Sequence, residues 1–249
     1  MLFVFAISLT IIYTFYSAST NDHSADVTPP VTFNFQLVTA DFLQGRYNYY
    51  TDSNFIEIPA SQCYRTKMYL LKDTYTAFHR MYLAASKEGI PLKIISATRT
   101  FDEQKNVWED KWKKNALQFS DPLLRASAIL QYSAMPGTSR HHWGTEIDLN
   151  SLSDAYFESA AGRKVYSWLQ QNAPSYGFCQ TYNQYNQRNA GYQEEKWHWS
   201  YYPISNILLT LYQQKVNHQI MSGFSGAETA GELDILHKYM LSVNQDCMH

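Results

Sequence analysis

The chain has 249 residues, of which 45% are hydrophobic and 17% are charged. This length and composition suit one substantial folded domain with a buried core, and they exclude a generally disordered chain. The formal net charge is −2, so no basic excess exists to neutralise phosphates, and we expect no nucleic acid partner.

The first residues form an apolar run, 1–19, which ends in small residues. This pattern is typical of a signal peptide and predicts an exported protein, periplasmic or on the cell surface. No lysine or arginine precedes the run, so an uncleaved membrane anchor and a wrongly chosen start codon are the alternatives. Contact with a membrane is expected only through an uncleaved N-terminal segment. Residues 20–34 are polar, contain a Pro-Pro pair and predict a linker, and 35–249 are predicted to form a single domain.

Helices and short strands are interspersed along the predicted domain. Apolar residues at helical spacing predict an amphipathic helix over about 64–88, which Gly89 ends. Further helices are predicted at 102–114, from Ser120 or Asp121 onward, and at 160–172, 203–216 and 227–243. The predicted strands are 92–98, 145–150 and 195–202. Short strands separated by helices favour an α+β domain with a small antiparallel sheet.

Three cysteines occur, at positions 63, 179 and 247. They are too few for a disulfide scaffold, and they lack the CxxC spacing of a structural metal site. An oxidising compartment would permit one bridge and leave one thiol, but the sequence does not identify the pair. For Cys179, which follows an apolar stretch, we expect a buried free thiol.

The stretch SRHHWGTEID, residues 139–148, combines histidines with carboxylates. Imidazole nitrogens and carboxylate oxygens are both donors to zinc. Strand alternation puts Asp148 and Glu146 on one face, opposite Ile147. Chemistry alone leaves the choice between His141 and His142 open. The alternative is a polar loop that leads into an ordinary half-exposed strand.

The stretch EKWHW, residues 195–199, contains a second candidate ligand, His198. Alternation places this histidine opposite both neighbouring tryptophans. Two histidines and an aspartate would supply three protein ligands and leave a fourth position open, as in catalytic zinc sites. Strict alternation puts Glu194, rather than Glu195, on the face of His198. Glu195 reaches that face only if the strand bulges or begins between Glu195 and His198.

Three motifs in this order resemble those of the VanY-type D-alanyl-D-alanine carboxypeptidases. They are S-x-x-R-[ST]-x-x-x-Q at 96–104, SxHxxGxxxD at 139–148 and ExWHW at 195–199. The resemblance covers roughly residues 60–205. It implies an α+β fold, shared with D-Ala-D-Ala dipeptidases, lysostaphin-like endopeptidases and hedgehog domains, in which a small antiparallel sheet flanked by helices carries a zinc site.

The resemblance also implies roles for individual residues. It makes His141, Asp148 and His198 the ligands of a Zn²⁺ cofactor, and the spacing to Asp148 favours His141 over its neighbour. It makes Glu195 the general base, with Glu194 as the fallback. Arg99, at the end of a predicted strand, matches the residue that stabilises the substrate carbonyl.

Gln104 and Ser139 match positions near the terminal D-alanine of the substrate. One departure is Glu146, which stands where the family usually has a small residue. The implied function is zinc-dependent removal of the terminal D-alanine from a peptidoglycan stem peptide. The alternatives are an L,D-carboxypeptidase, a D,D-dipeptidase or an endopeptidase of the same fold, or a non-catalytic zinc-stabilised module that binds the cell wall.

Overall fold

A computed structural model of the chain describes residues 30–184, 188, 190–217 and 221–248. The predicted signal segment and most of the predicted linker lie outside these residues. The α-helices are α1 (Ala40–Leu43), α2 (Lys72–Lys87), α3 (Phe101–Lys114), α4 (Pro122–Ile129), α5 (Asp154–Glu158), α6 (Ala160–Asn172) and α7 (Tyr202–Lys215). The strands are β1 (Phe55–Glu57), β2 (Tyr69–Leu71), β3 (Ile94–Ser96), β4 (Glu146–Leu149), β5 (Phe178–Gln180) and β6 (His198–Tyr201).

The central sheet has four antiparallel strands in the order β3-β4-β6-β5, and β1 pairs with β2 separately. The register sets Asp148 of β4 opposite His198 of β6 and beside Ser96 of β3. Helices alternate with these strands along the chain, and α7 packs against β6, so the predicted α+β class with a small antiparallel sheet is confirmed.

Both faces of the two middle strands are buried. Every residue of β4 and of β6 is covered, including the polar ones. Glu146 and Asp148 both bond to the ring of His198, so the alternation predicted for β4 is correct in placing these two residues on one face. The half-exposed strand considered as an alternative is wrong, because the whole strand is buried. Since a buried carboxylate is costly without partners, the polar face of this sheet must contain its own hydrogen-bonding network.

Helix α3 begins at a well-defined cap and carries one wall of the cavity described below. Thr100 and Glu103 form a reciprocal capping box at its start. Farther along, the fully buried Trp108 donates from Nε1 to the carbonyl of Ser225, so α3 also holds the C-terminal segment in place. Asp121 caps α4, as predicted. No helix in the described ranges has the length and apolar character needed to cross a membrane.

Two predicted helices are wrong in extent. The helix expected over 64–88 begins only at Lys72, because Tyr69–Leu71 pairs with β1 as a strand. Apolar residues in so short a segment satisfy helical and strand patterns equally, and pairing with β1 decides between them. The helix expected over 227–243 is divided into a 3-10 turn, Ala227–Thr229, and a π-helical turn, Leu236–Met240. Asp234 lies between the two turns with a φ of +50°, which interrupts a right-handed helix.

The C-terminal segment is joined to the sheet by a disulfide between Cys179 and Cys247, 68 positions apart. The expectation of a free thiol at Cys179 is therefore wrong, and the free, buried cysteine is Cys63. The pairing follows from tertiary position, because Asn244 donates to the carbonyl of Thr181 and lays the end of the chain along β5.

The described end of the predicted linker contacts the domain. The backbone amides of Thr32 and Phe33 both donate to the Asp73 carboxylate in the first turn of α2. The boundary between linker and domain at residue 35 itself stays a prediction.

Candidate active site

The first predicted ligand, His141, lies in a 3-10 turn, Arg140–Trp143, just before β4. Gly144 ends this turn in a left-handed conformation with a φ of +73°, and a Cβ there would lie 2.4 Å from the ring of Phe55. The Nδ1 atom of His141 lies 2.7 Å from the carbonyl oxygen of Ala97, to which it donates. Its Nε2 atom is thereby left to face Asp148 Oδ2, at 3.3 Å.

The other two predicted ligands come from adjacent strands. Asp148 and His198 are register partners, and His198 Nδ1 lies 2.9 Å from Asp148 Oδ1. One ligand atom from each of these residues and from His141 lies within 4.8 Å of the others, and all three residues are buried. Two imidazole nitrogens and a carboxylate oxygen are a donor set that suits zinc. The arrangement can therefore hold a metal ion.

Glu146, the departure from the family pattern, lies behind His198. Its Oε2 atom is 2.9 Å from His198 Nε2, the ring nitrogen that faces away from Asp148. The Glu146 side chain is fully buried, accepts a hydrogen bond from Ser200 at 2.7 Å and forms an ion pair with Arg140 at 3.2 Å. Burial raises its pKa, but Arg140 and the His198 hydrogen bond outweigh burial and lower the pKa to about 2. Glu146 is therefore ionised, and it orients His198 as carboxylates orient metal-binding histidines elsewhere.

The choice between the neighbouring histidines is resolved by their hydrogen bonds. His142 Nδ1 donates to the carbonyl of Arg99 at 2.8 Å, and its Nε2 accepts from the backbone amide of Gly137 at 3.1 Å. Both nitrogens of His142 are thus occupied by backbone groups. His141 is the one of the pair that faces Asp148, as the spacing predicts.

The choice between the neighbouring glutamates depends on where β6 begins. The strand starts at His198, whose backbone amide donates back to the carbonyl of Glu195 in a turn. This turn brings Glu195 Oε2 to 3.7 Å from His198 Nδ1. Glu194 is half-buried and accepts instead from the hydroxyl of Tyr166 at 3.4 Å. Burial raises the pKa of Glu195 to about 8, against the opposing effect of His198, so its carboxyl group can exchange protons near neutral pH.

The remaining predicted residues surround the cluster. Arg99 donates from Nη1 to Ser96 at 2.8 Å, and its backbone amide donates to the carbonyl of His141. Gln104 donates from Nε2 to the carbonyl of Ala134 at 2.7 Å, while its buried Oε1 has no partner among the described residues. One cavity of about 550 Å³ is lined by every predicted site residue: Arg99, Gln104, Ser139, His141, Asp148, Glu195 and His198.

The same cavity has walls that the sequence did not reveal. They include Lys111, Tyr132, Asp154, Tyr182, Tyr192 and Trp197. For Lys111 a signal existed, because it follows Gln104 by seven residues and so lies two turns farther on the same face of α3. The tyrosines come from connecting segments that have no periodicity, and nothing in their spacing indicated a shared wall.

Comparison with known proteins supports the family resemblance. The VanY family model, described as D-alanyl-D-alanine carboxypeptidase, matches residues 67–204. The protein YodJ of Bacillus subtilis is 31% identical over 140 residues, which cover 54% of this chain and 47% of YodJ. A D-alanyl-D-alanine carboxypeptidase of Enterococcus faecalis is 29% identical over 125 residues, which cover 50% of this chain and 45% of that protein. The chain thus matches about half the length of these curated relatives.

A solved structure, VanYB in complex with D-alanine-D-alanine, superposes with a TM-score of 0.50 at 21% identity. The match covers 66% of this chain and 84% of VanYB. At this identity the likeness concerns the fold, and it agrees with the α+β architecture described above.

Proposed function

Because the chain belongs to the VanY family of D-alanyl-D-alanine carboxypeptidases, we propose that it is a zinc-dependent carboxypeptidase that removes the terminal D-alanine from peptidoglycan stem peptides. One observation carries the proposal. The three candidate metal ligands, a buried glutamate and an arginine converge in a single cavity that is large enough for a peptide terminus.

The zinc ligands in this proposal are His141 Nε2, an oxygen of Asp148 and His198 Nδ1. Each imidazole is bonded through its other nitrogen to a protein oxygen, Ala97 O or Glu146 Oε2, so the rings are already oriented. Zinc held there would supply Lewis acidity, which makes a water molecule nucleophilic near neutral pH and polarises the scissile carbonyl.

Glu195 is the proposed general base. Its buried carboxylate lies beside the ligand cluster and opens into the cavity, where it can accept a proton from the attacking water. The same carboxyl group can then deliver that proton to the amine of the departing D-alanine. The raised pKa suits this double role, since the group must gain and lose a proton in each cycle.

Arg99 is the proposed stabiliser of the oxyanion. Its guanidinium is fixed by Ser96, and its backbone is tied to His141, so the cation is held next to the ligand cluster. A positioned donor of this kind favours the tetrahedral transition state over the planar amide. Gln104 lines the cavity and carries a buried oxygen without a partner among the described residues, and we assign it the hydrogen bond from the amide of the terminal residue.

The test is release of D-alanine from defined stem peptides by the zinc-loaded protein. We expect release from a pentapeptide ending in D-Ala-D-Ala, loss of release in Glu195→Gln, and retention in the matched control Glu194→Gln, whose carboxylate contacts Tyr166. Release from a tetrapeptide alone would reassign the enzyme as an L,D-carboxypeptidase, and cleavage of free D-Ala-D-Ala alone would make it a dipeptidase. Tight zinc binding without cleavage of any of these, or of cross-linked stems, would indicate a non-catalytic wall-binding module.

We also propose that the protein is exported to the periplasm or cell surface, where its substrate would be found. The disulfide between Cys179 and Cys247 supports this, because such bonds persist mainly in oxidising compartments. Fractionation of producing cells, together with thiol labelling, tests it. Recovery in the cytoplasm with three labelled cysteines would refute it.

A further inference from the structure

Lys111 points into the catalytic cavity without an ionic partner. It lies in the last turn of α3, is half-buried and lines the cavity. Its amino group donates to the hydroxyl of Ser133 at 2.5 Å. Among the described residues, no carboxylate lies within the 4.0 Å of an ion pair to Lys111. A partly desolvated ammonium with one neutral partner retains unused capacity for an anion.

Two other cationic side chains line the cavity, and each already has an ionic partner or a proposed role. Arg140 is neutralised by Glu146 behind His198. Arg99 is bound to Ser96 and lies next to the ligand cluster, where the proposed reaction needs a cation. Lys111 lowers the pKa of Glu195, after the larger effects of burial, His198, Asp148 and Arg99, but the proposed mechanism gives its ammonium no contact with the substrate.

Lys111 and Gln104 converge on one short segment of the opposite wall. They lie two turns apart on α3, but Gln104 bonds to the carbonyl of Ala134 and Lys111 to the hydroxyl of Ser133, its immediate neighbour. The two side chains are thus bonded to neighbouring positions of one segment, and both line the same cavity. An unpartnered acceptor and an ammonium without an ion pair in one cavity are complementary to a group that has both an N–H and a carboxylate.

We propose that Lys111, with Ser133, is the group of this chain that binds the free C-terminal carboxylate of the peptide substrate. The inference rests on the proposed function, which acts at a chain end, and it assigns the residues that recognise that end. At the terminal residue of a peptide, one carbon carries both an amide N–H and a carboxylate. A carboxylate elsewhere on the stem has the same charge, but it remains when the C-terminus is blocked. Blocking the C-terminus therefore distinguishes the two carboxylates.

The experiment compares a stem peptide ending in a free carboxylate with the same peptide ending in an amide. We expect wild-type kcat/KM to be at least about 10-fold higher for the acid, in line with a hydrogen bond to a charged group. Lys111→Met is expected to lower kcat/KM for the acid by about 10- to 100-fold, mainly through KM, and to change the amide little. Lys111→Arg should restore much of the loss, and Lys113→Met, an exposed lysine on the same helix, should have no effect.

Two outcomes would overturn the inference while the proposed function stands. One is an equal loss on acid and amide in Lys111→Met, which would assign the lysine to packing or to another substrate carboxylate. The other is wild-type hydrolysis of the amide as fast as the acid. Ser133→Ala serves as the second variant if Lys111→Met does not fold. It should lower kcat/KM for the acid but not for the amide, by a smaller factor than Lys111→Met. Absence of Glu195-dependent cleavage of either peptide would refute the proposed function instead.

Discussion

Replacing Glu146 by glutamine tests whether this extra carboxylate sets the affinity for zinc. The two oxygens of Glu146 accept from different partners, Oε2 from His198 and Oε1 from Arg140 and Ser200. Glutamine keeps the shape but turns one acceptor into a donor. In either orientation, the NH₂ group of the glutamine faces a side chain that is itself a hydrogen-bond donor. The neutral amide also no longer balances the charge of Arg140.

The magnitude follows from burial. Arg140 and Glu146 have side chains that are 2% and 0% exposed, and removing one member of such a pair costs about 3–5 kcal/mol of folding stability. Loss of a carboxylate that orients a metal-binding histidine lowers metal affinity by about 10- to 100-fold. Zinc should therefore bind Glu146→Gln more weakly by about 1.4–2.7 kcal/mol.

The assay is competition for zinc with a chromophoric chelator, joined with urea unfolding of the metal-free protein. Glu195→Gln is the matched control, because its carboxylate lies on the Nδ1 side of His198, beside the ligand cluster, rather than behind the ring. We expect the control to lose activity with little loss of zinc affinity. For Glu146→Gln we expect the main effect to be a loss of zinc affinity. Wild-type zinc affinity in a folded Glu146→Gln protein would refute the reasoning, since the His198 ring would then need no carboxylate behind it.

Three further outcomes are expected. Arg99→Ala should lower kcat by about 10²- to 10³-fold while zinc content stays constant, as measured in single-turnover hydrolysis, and an effect on KM alone would contradict its role. Cys247→Ser should lower the free energy of unfolding in urea by about 2–4 kcal/mol because it opens a loop of 68 residues, and reductant should then leave the variant unchanged. Burial lowers the pKa of Lys111, with Glu195 opposing and Arg99 and Lys114 adding to the effect. Since only the protonated amine binds a carboxylate, the advantage of wild type over Lys111→Met should shrink as pH rises toward the usual lysine range, whereas Lys111→Arg should show no such decline.

Much of the candidate site could be predicted from sequence because its parts are local patterns. The motifs at 96–104, 139–148 and 195–199 contain all the residues expected in the cavity, and all of them line it. The helix predicted at 102–114, which the structure places at Phe101–Lys114, also follows from neighbouring residues alone. Such features depend on contacts within a few positions of the chain, which the sequence displays directly.

Strict strand alternation by itself favours Glu194, and Glu195 is predicted only through the family resemblance. The turn before His198 brings Glu195 to the cluster, so a local departure from the regular strand decides between the two. Other features depend on distant contacts. The disulfide partner of Cys179 depends on how the C-terminal segment lies along β5, which no local pattern records.

The sequence by itself thus determined the α+β class, the family and the residue types of a candidate zinc site. Only the tertiary structure decided which nitrogen of each histidine faces the cluster, where the extra carboxylate of Glu146 points, and that Lys111 enters the cavity unpaired. The physical reason is that orientation and pairing of buried polar groups are set by partners far away in the chain. His141 and Glu146 meet their partners when the strands of the sheet pair, and Lys111 meets Ser133 when α3 packs against the segment after α4.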